Sequence, residues 1–201
     1  GGHRYLHSFP TRRSSDLPLT LRDGSRIRLG VMVCEDMWIE DVAEALEESG
    51  AEILVVINGS PFETSKQDVR IQKALNRVVE TGLPLVYVNQ VGGQDELVFD
   101  GGSQVLDPKG KVIASGKQFG EDVFFVDLPV KGGEFERAGK VVLPALIRKG
   151  PRAGIKKSLA KRESQNQRIY RALVLGTRGH VRKNGFKKVV LGDRKSTRLK
   201  S

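Results

Sequence analysis

The chain has a single cysteine, Cys34, which stands between an apolar run and two carboxylates in Arg28-Leu-Gly-Val-Met-Val-Cys34-Glu35-Asp36-Met-Trp38. A thiol at the end of a strand can attack a carbonyl or amide carbon. The backbone N–H groups of the turn that follows can then face the developing oxyanion. Cysteine is also among the most often buried residue types, so an inert core thiol is the competing reading. Two more stretches carry compatible loop chemistry, Asn58-Gly59-Ser60-Pro61 and Asn89-Gln90-Val91-Gly92. Each follows a short apolar run, so thiol, amide and hydroxyl gather at one sheet edge if those runs are neighbouring strands. A cysteine nucleophile also needs a general base. The histidines are His3, His7 and His180, all remote from Cys34 in the chain, which argues against a Cys–His pair.

The elements that must position these groups follow from periodicity. Residues 19–28 predict a hairpin about the turn pair Asp23-Gly24, and its second strand runs on to deliver Cys34. Val42, Ala45, Leu46 and Ser49 recur at helical spacing, and Gly50 ends that helix. Residues 53–57 form a continuous apolar run, expected of a strand covered on both faces. Ser65 can cap a second helix, whose buried stripe is predicted to be Ile71, Ala74, Leu75, Val78 and Val79, with Gly82 and Pro84 stopping it. Residues 85–88 make the next strand, and residues 89–93 read as a loop. Short strands are predicted at 97–99, 103–106, 112–115 and 123–126, with turns at Gly101-Gly102 and Asp107-Pro108-Lys109-Gly110. Alternating strand and helix followed by an antiparallel meander is the pattern of an α/β layered fold.

Composition narrows the field. The 201 residues are 38% hydrophobic, enough for a core, and carry a formal net charge of +10. That charge is unevenly placed. Residues 18–128 hold 10 Lys and Arg against 19 Asp and Glu, whereas residues 129–201 hold 21 against 4. An acidic globular part with a basic tail is a poor case for a nucleic-acid reader. The lone thiol excludes an internal disulfide framework and fits the reducing cytoplasm, and no apolar run reaches membrane-spanning length. Residues 129–163, rich in Lys, Gly and Pro, predict a linker that is at most partly ordered. From Ser164 a helical pattern resumes through Ile169, Ala172, Leu173, Gly176 and Val181. Asn184-Gly185 closes it, and residues 187–191 predict a strand. One helix and one strand cannot bury a core alone, so residues 164–192 are expected to open a second domain. Residues 1–17 lack periodicity. Phe9-Pro-Thr-Arg-Arg-Ser-Ser-Asp-Leu17 resembles a translated sequencing adapter, as does Asp193-Arg-Lys-Ser-Thr-Arg-Leu199. Residues 1–17 and 193–201 are therefore expected to be an unstructured, artefactual leader and an artefactual tail.

Taken in order, Val33-Cys34-Glu35-Asp36-Met37-Trp38, Asn58-Gly59-Ser60-Pro61-Phe62 with Lys66, and Tyr87-Val88-Asn89-Gln90-Val91-Gly92-Gly93 running on to Asp100-Gly101-Gly102 resemble the glutamine-dependent NAD+ synthetases. Within those ligases the likeness is to the nitrilase-like glutaminase domain. Arg168-Ile-Tyr-Arg-Ala-Leu-Val-Leu-Gly176, with Val189-Val-Leu-Gly192, looks like the start of their synthetase domain. The resemblance implies a carbon-nitrogen hydrolase fold, an incomplete α-β-β-α sandwich over residues 18–128. After the 129–163 linker, it implies the start of an adenine-nucleotide α-hydrolase-like α/β domain over residues 164–192.

The same resemblance implies a Glu–Lys–Cys triad in which Cys34 is acylated by the side-chain carboxamide of glutamine and ammonia leaves. Glu35 is implied to lend a backbone N–H to the oxyanion hole, and Ser60 and Lys66 are implied to hold glutamine. For Ser60 a loop-capping hydroxyl stays open, for Lys66 a solvated helix-start lysine, and for Glu35 and Asp36 a helix cap. The triad's Glu and Lys belong upstream of the first strand, and a Ser-Gly-Gly-x-Asp-Ser pyrophosphate loop belongs beyond Gly192. The chain is thus expected to be an inactive fragment of a cytoplasmic, homo-oligomeric parent that uses the ammonia for ATP-dependent amidation of deamido-NAD+ to NAD+. ATP and Mg2+ are expected in that parent, with no cofactor in this fragment and no nucleic-acid or membrane partner. Two readings compete: another nitrilase-type carbon-nitrogen hydrolase or amidase, and a basic nucleic-acid-binding module.

Overall fold

Three apolar runs form the parallel centre of a six-stranded sheet. They are β2 (Arg26–Val33), β3 (Ile53–Asn58) and β4 (Leu85–Asn89), following β1 (Ser15–Thr20) in the chain. The computed structural model describes residues 15–21, 26–130 and 158–190. The Asp23-Gly24 turn, the tail at 193–201 and most of the 129–163 linker lie outside the described residues. Parallel neighbours need a crossover, and two helices supply it: α1 (Glu40–Glu48) between β2 and β3, and α2 (Lys66–Thr81) between β3 and β4. A ribbon follows, β5 (Val91–Gln94) with β6 (Leu97–Asp100). Then come β7 (Gln104–Leu106), β8 (Val112–Ser115) and α3 (Gln165–Lys183). The large sheet has the order β1-β2-β3-β4-β7-β8, with β1, β7 and β8 antiparallel to their neighbours.

The core lies on one face of that sheet. Met32 pairs with Val56 and Val56 with Tyr87 in adjacent strands, and all three are at most 1% exposed. Val42, Ala43 and Leu46 from α1, with Ala74 and Val78 from α2, close over them. On the opposite face the in-register row Val33, Ile57 and Val88 is 40%, 53% and 44% exposed. The apolar runs are therefore covered by helices on one side among the described residues, as expected of an incomplete sandwich over residues 18–128. One helical layer on one sheet is half of an α-β-β-α sandwich. Among the described residues, no helix is long and apolar enough to cross a membrane.

Several local expectations change. β1 begins at Ser15, inside the stretch expected to be unstructured, because β2 extends to Val33 and pairs with it as far as Ser15↔Val31. In α1, Ala43 is buried and Ala45 exposed. In α2, Val79 is 72% exposed, while Arg70 and Arg77 are buried in its stripe. Ser65 sits at the N-cap of α2 without a side-chain cap bond, and Gly82 ends the helix in the left-handed conformation (φ 66°). Residues 91–94 are a strand rather than a loop. Asp95 (φ 51°) turns the chain into β6, a conformation that Asp tolerates better than most residues. Residues 123–126 form no strand, and Val123 and Phe125 stay 81% and 64% exposed. Residues 187–190 are likewise not a strand, with Val190 96% exposed.

Helix α3 is anchored by a capping box at Ser164 and ends at Asn184, with Gly185 left-handed beyond it. Its buried face is Arg168, Ala172 and Leu175; of the predicted row Ala172 is buried, while Ile169 and Leu173 are exposed. The cause is a close approach to the ribbon, where Gly176 and Gly179 lie against Gly93 of β5. Ala172 and Leu175 then pack with Phe119, Phe62, Val91 and Val98. Residues 158–160 run beside the end of β8, where the Ser115 amide donates to the Ser158 carbonyl at 2.7 Å.

Candidate active site

The carboxyl ends of β2, β3 and β4 bring the three loops together. Asn58 and Asn89 are cross-strand partners, and Cys34 directly follows β2. Cys34 has φ 53°, an uncommon backbone for a residue with a Cβ, and it opens a single 3-10 turn, Cys34–Trp38. The sharp turn halts the strand at the thiol and leaves Cys34 partly accessible. Asp36 fixes the turn: its Oδ2 accepts the Val33 amide at 2.9 Å, and the residue is 7% exposed. Its carboxylate is therefore a cap, one of the roles left open, while Glu35 is exposed.

Ser60 is held from two directions. Its amide donates to Asn89 Oδ1 at 3.0 Å. Asn89 Nδ2 donates to the carbonyls of Ser60 at 3.3 Å and Gly101 at 3.0 Å. From α2, Arg70 Nε donates to Ser60 Oγ at 3.0 Å, and Nη2 donates to the carbonyls of Ser60 and Pro61 at 2.8 and 2.7 Å. Arg70 Nη1 pairs with Asp100 Oδ1 at 2.8 Å, and both side chains are almost wholly buried. The other Asp100 oxygen accepts Gln118 Nε2 at 2.8 Å. Burial of two charges is tolerable here because each finds several charge-assisted partners.

Tyr87 completes the floor. Burial pushes its hydroxyl pKa up to about 12, with the Arg70 charge and the Ser60 hydroxyl opposing and Asp100 and Cys34 adding to the rise. It stays a protonated phenol through the neutral range.

Lys66 lies at the start of α2. Its Nζ is 2.9 Å from Glu63 Oε1 and 5.8 Å from the centre of the Trp38 ring, which Lys73 also approaches at 5.4 Å. Trp38 thus brings the Lys66 ammonium to the turn that begins with Cys34. The loop between Ser60 and Lys66 is also gripped by α3, where Arg168 Nη2 donates to the Thr64 carbonyl and Nη1 to Gln67 Oε1, each at 3.3 Å. The structure thus gathers Cys34, Ser60 and Lys66 at one sheet edge, with Glu35 beside Cys34 pointing to solvent.

Sequence reasoning passed over Arg70 and Gln118, and gave Tyr87 and Asp100 no role beyond the family motif. One signal was present: Arg70 stands four residues after Lys66 and four before Ala74, a stripe position where a surface arginine would not belong.

The sequence profile described as "Carbon-nitrogen hydrolase" matches residues 1–135. The glutamine-dependent NAD(+) synthetase of Rhodobacter capsulatus is 46% identical over 166 residues, covering 83% of this chain and 27% of that protein. The one from Aquifex aeolicus is 36% identical over 197 residues, covering 90% of this chain and 34% of that protein. Among solved structures, glutamine-dependent NAD+ synthetase from Acinetobacter baumannii in complex with ADP superposes with a TM-score of 0.60 at 29% identity. That match covers 87% of this chain and 29% of the other. The chain spans about a quarter to a third of the length of the curated relatives it matches.

Proposed function

The chain belongs to the carbon-nitrogen hydrolase family, and from that premise we propose that it is part of the glutaminase domain of a glutamine-dependent NAD+ synthetase. The observation that carries the reading is the meeting of Cys34, at a strand end, with a tightly held Ser60–Lys66 loop across the parallel strands. Cys34 Sγ attacks the side-chain carboxamide carbon of glutamine, a thioester forms and ammonia leaves. Water then releases glutamate and regenerates the thiol. Ser60 and Lys66 hold the substrate, Lys66 through an α-carboxylate. The Glu35 amide, on the turn after Cys34, faces the oxyanion.

Asp36 is committed to the Val33 amide and Glu35 faces solvent. The reading therefore assigns the general base to a residue other than these two. In the parent the ammonia goes to deamido-NAD+ with ATP as the energy source, in a cytoplasmic homo-oligomer. Among the described residues no group of His, Cys, Asp or Glu side chains is placed to hold a metal ion. The reading places ATP and Mg2+ in the parent's other domain.

The test uses the full-length protein that carries this chain. Cys34→Ala should abolish NAD+ formation driven by glutamine and leave formation driven by ammonium chloride within about twofold. Glutamine-driven synthesis that survives the substitution would refute the assignment.

A further inference from the structure

We propose that Arg70 is a positioning residue for glutamine, fixing both the polarity of the Ser60 hydroxyl and the separation of Ser60 from Lys66. The inference rests on the reading above and deepens it. Arg70 is 3% exposed, and Nε, Nη1 and Nη2 are all engaged. Its bond to Ser60 Oγ comes from a cation, so the hydroxyl oxygen accepts there; the protonated Tyr87 hydroxyl, its other neighbour, can donate to the second lone pair, which leaves the Ser60 hydrogen to donate. A donor at this point suits an oxygen of the substrate, either carboxamide or carboxylate.

The second effect is geometric. Ser60 ends the strand side of a loop whose other end is Lys66, the first residue of α2. Arg70 is four residues further along the same helix, so it lies on the face of Lys66 one turn away. By gripping the Ser60 and Pro61 carbonyls it ties the beginning of the loop to the helix that carries its end. Asp100 holds the guanidinium from behind, and Gln118 holds Asp100. The distance between the two substrate contacts is then set by a rigid fork rather than by the five residues between them. Lysine cannot reproduce that fork, because an ammonium is a single point with three rotatable donors.

The decisive variant is Arg70→Lys in the full-length protein, which keeps the charge opposite Asp100 and removes the fork. The KM for glutamine should rise tenfold or more, with kcat at saturating glutamine within threefold and ammonium-driven synthesis unchanged. A KM within twofold of the parent overturns the proposal. So does a parallel fall of glutamine- and ammonium-driven rates together with the melting temperature, which is what a purely structural prop would give. If Arg70→Lys fails to fold, Gln118→Met decides. It leaves both charges in place and frees one Asp100 oxygen. A KM raised threefold or more supports the proposal, and an unchanged KM overturns it. Failure of the underlying reading would show separately, as glutamine-driven synthesis that does not need Cys34.

Discussion

Gly93→Ala should loosen α3 from the body of the protein, and the size of the effect follows from the seam between them. A Cβ added at Gly93 would lie 3.0 Å from Gly176 Cα and 3.2 Å from the carbonyl oxygens of Gly176 and Leu175. These are backbone atoms and cannot swing aside as a side-chain tip would. Carbon contacts are comfortable at about 3.5–4.0 Å, so the helix must retreat by about half an ångström or more, which forfeits part of every contact along the seam. Overpacking of this kind costs about 1–3 kcal/mol. Alanine also narrows the unfolded ensemble, which returns about 0.4–1 kcal/mol where the backbone is compatible, as at Gly93, which has no left-handed φ. The net is a loss of about 1–2 kcal/mol, or roughly tenfold in the opening equilibrium of α3. Hydrogen–deuterium exchange of peptides spanning residues 168–180 reads it directly. Gly120→Ala is the control, because nothing lies within 4 Å of its added Cβ. Gly179→Ala is a second comparison. Its Cβ meets the Gly93 backbone at 3.1 Å, but a helical glycine replaced by alanine gains about 1 kcal/mol, so it should be close to neutral. Exchange in α3 as slow in Gly93→Ala as in the parent would refute the reasoning, as would equal loosening by Gly120→Ala.

Asn89→Leu removes the partners of the Ser60 amide and of two buried carbonyls, and should cost about 2–4 kcal/mol in a urea titration; a loss under about 1 kcal/mol would mean the loop is held mainly by Arg70. Tyr87 has a folded pKa raised above its unfolded value of 10.0 to about 12, so its contribution is full below pH 10 and is lost as pH climbs towards 12. The loss should reach about 2–3 kcal/mol and should be missing from the alkaline stability curve of Tyr87→Phe. Arg162→Ala should bring the Asp68 pKa back up towards its ordinary range, since the Arg162 hydrogen bond is the largest cause of its depression. Both groups of that pair are exposed, so the melting temperature should scarcely move; a large drop would mean that this pair anchors the 158–164 segment to the fold. The open sheet face of Val33, Ile57 and Val88 should bind a hydrophobic dye in this chain, and Ile57→Thr with Val88→Thr should reduce that fluorescence. Unchanged fluorescence would place the dye elsewhere.

The parallel strands and their helices were legible because each is announced by a strong local signal. Residues 53–57 and 85–88 are apolar runs too short for helices, and Gly82 marks a helix end that only a left-handed residue makes easily. The meeting of Cys34 with the 58–61 and 89–92 loops was legible for a topological reason: parallel strands put all their carboxyl ends on one edge, whatever the loops contain, whereas Lys66 was implied only by the family resemblance. What could not be read was decided by partners far off in sequence. Residues 91–94 looked like a loop because two glycines weaken any strand signal. They pair because Asp95 turns the chain and α3, some eighty residues later, needs a surface without side chains on which to rest.

The buried arginines show the same limit and what it costs a periodicity argument. The α2 stripe was expected to hold Val79, yet the buried positions include Arg70 and Arg77, and Val79 faces out. Hydrophobic spacing ranks residues by transfer free energy, and that ranking places arginine outside unless partners are known. The partners of Arg70 come from the β3–α2 loop, from Asp100 at the end of β6 and, one step further, from Gln118. None of these is within helical reach, so no window along α2 could have found them. Arg77 pairs with Glu80 on its own helix, whereas Arg70 is held by acceptors that converge from several loops. Here the Ser60 and Pro61 acceptors come from the loop proposed to hold the substrate. The misplaced arginine and the candidate site are therefore one feature, seen first as a break in the helical pattern and then as the fork that holds Ser60.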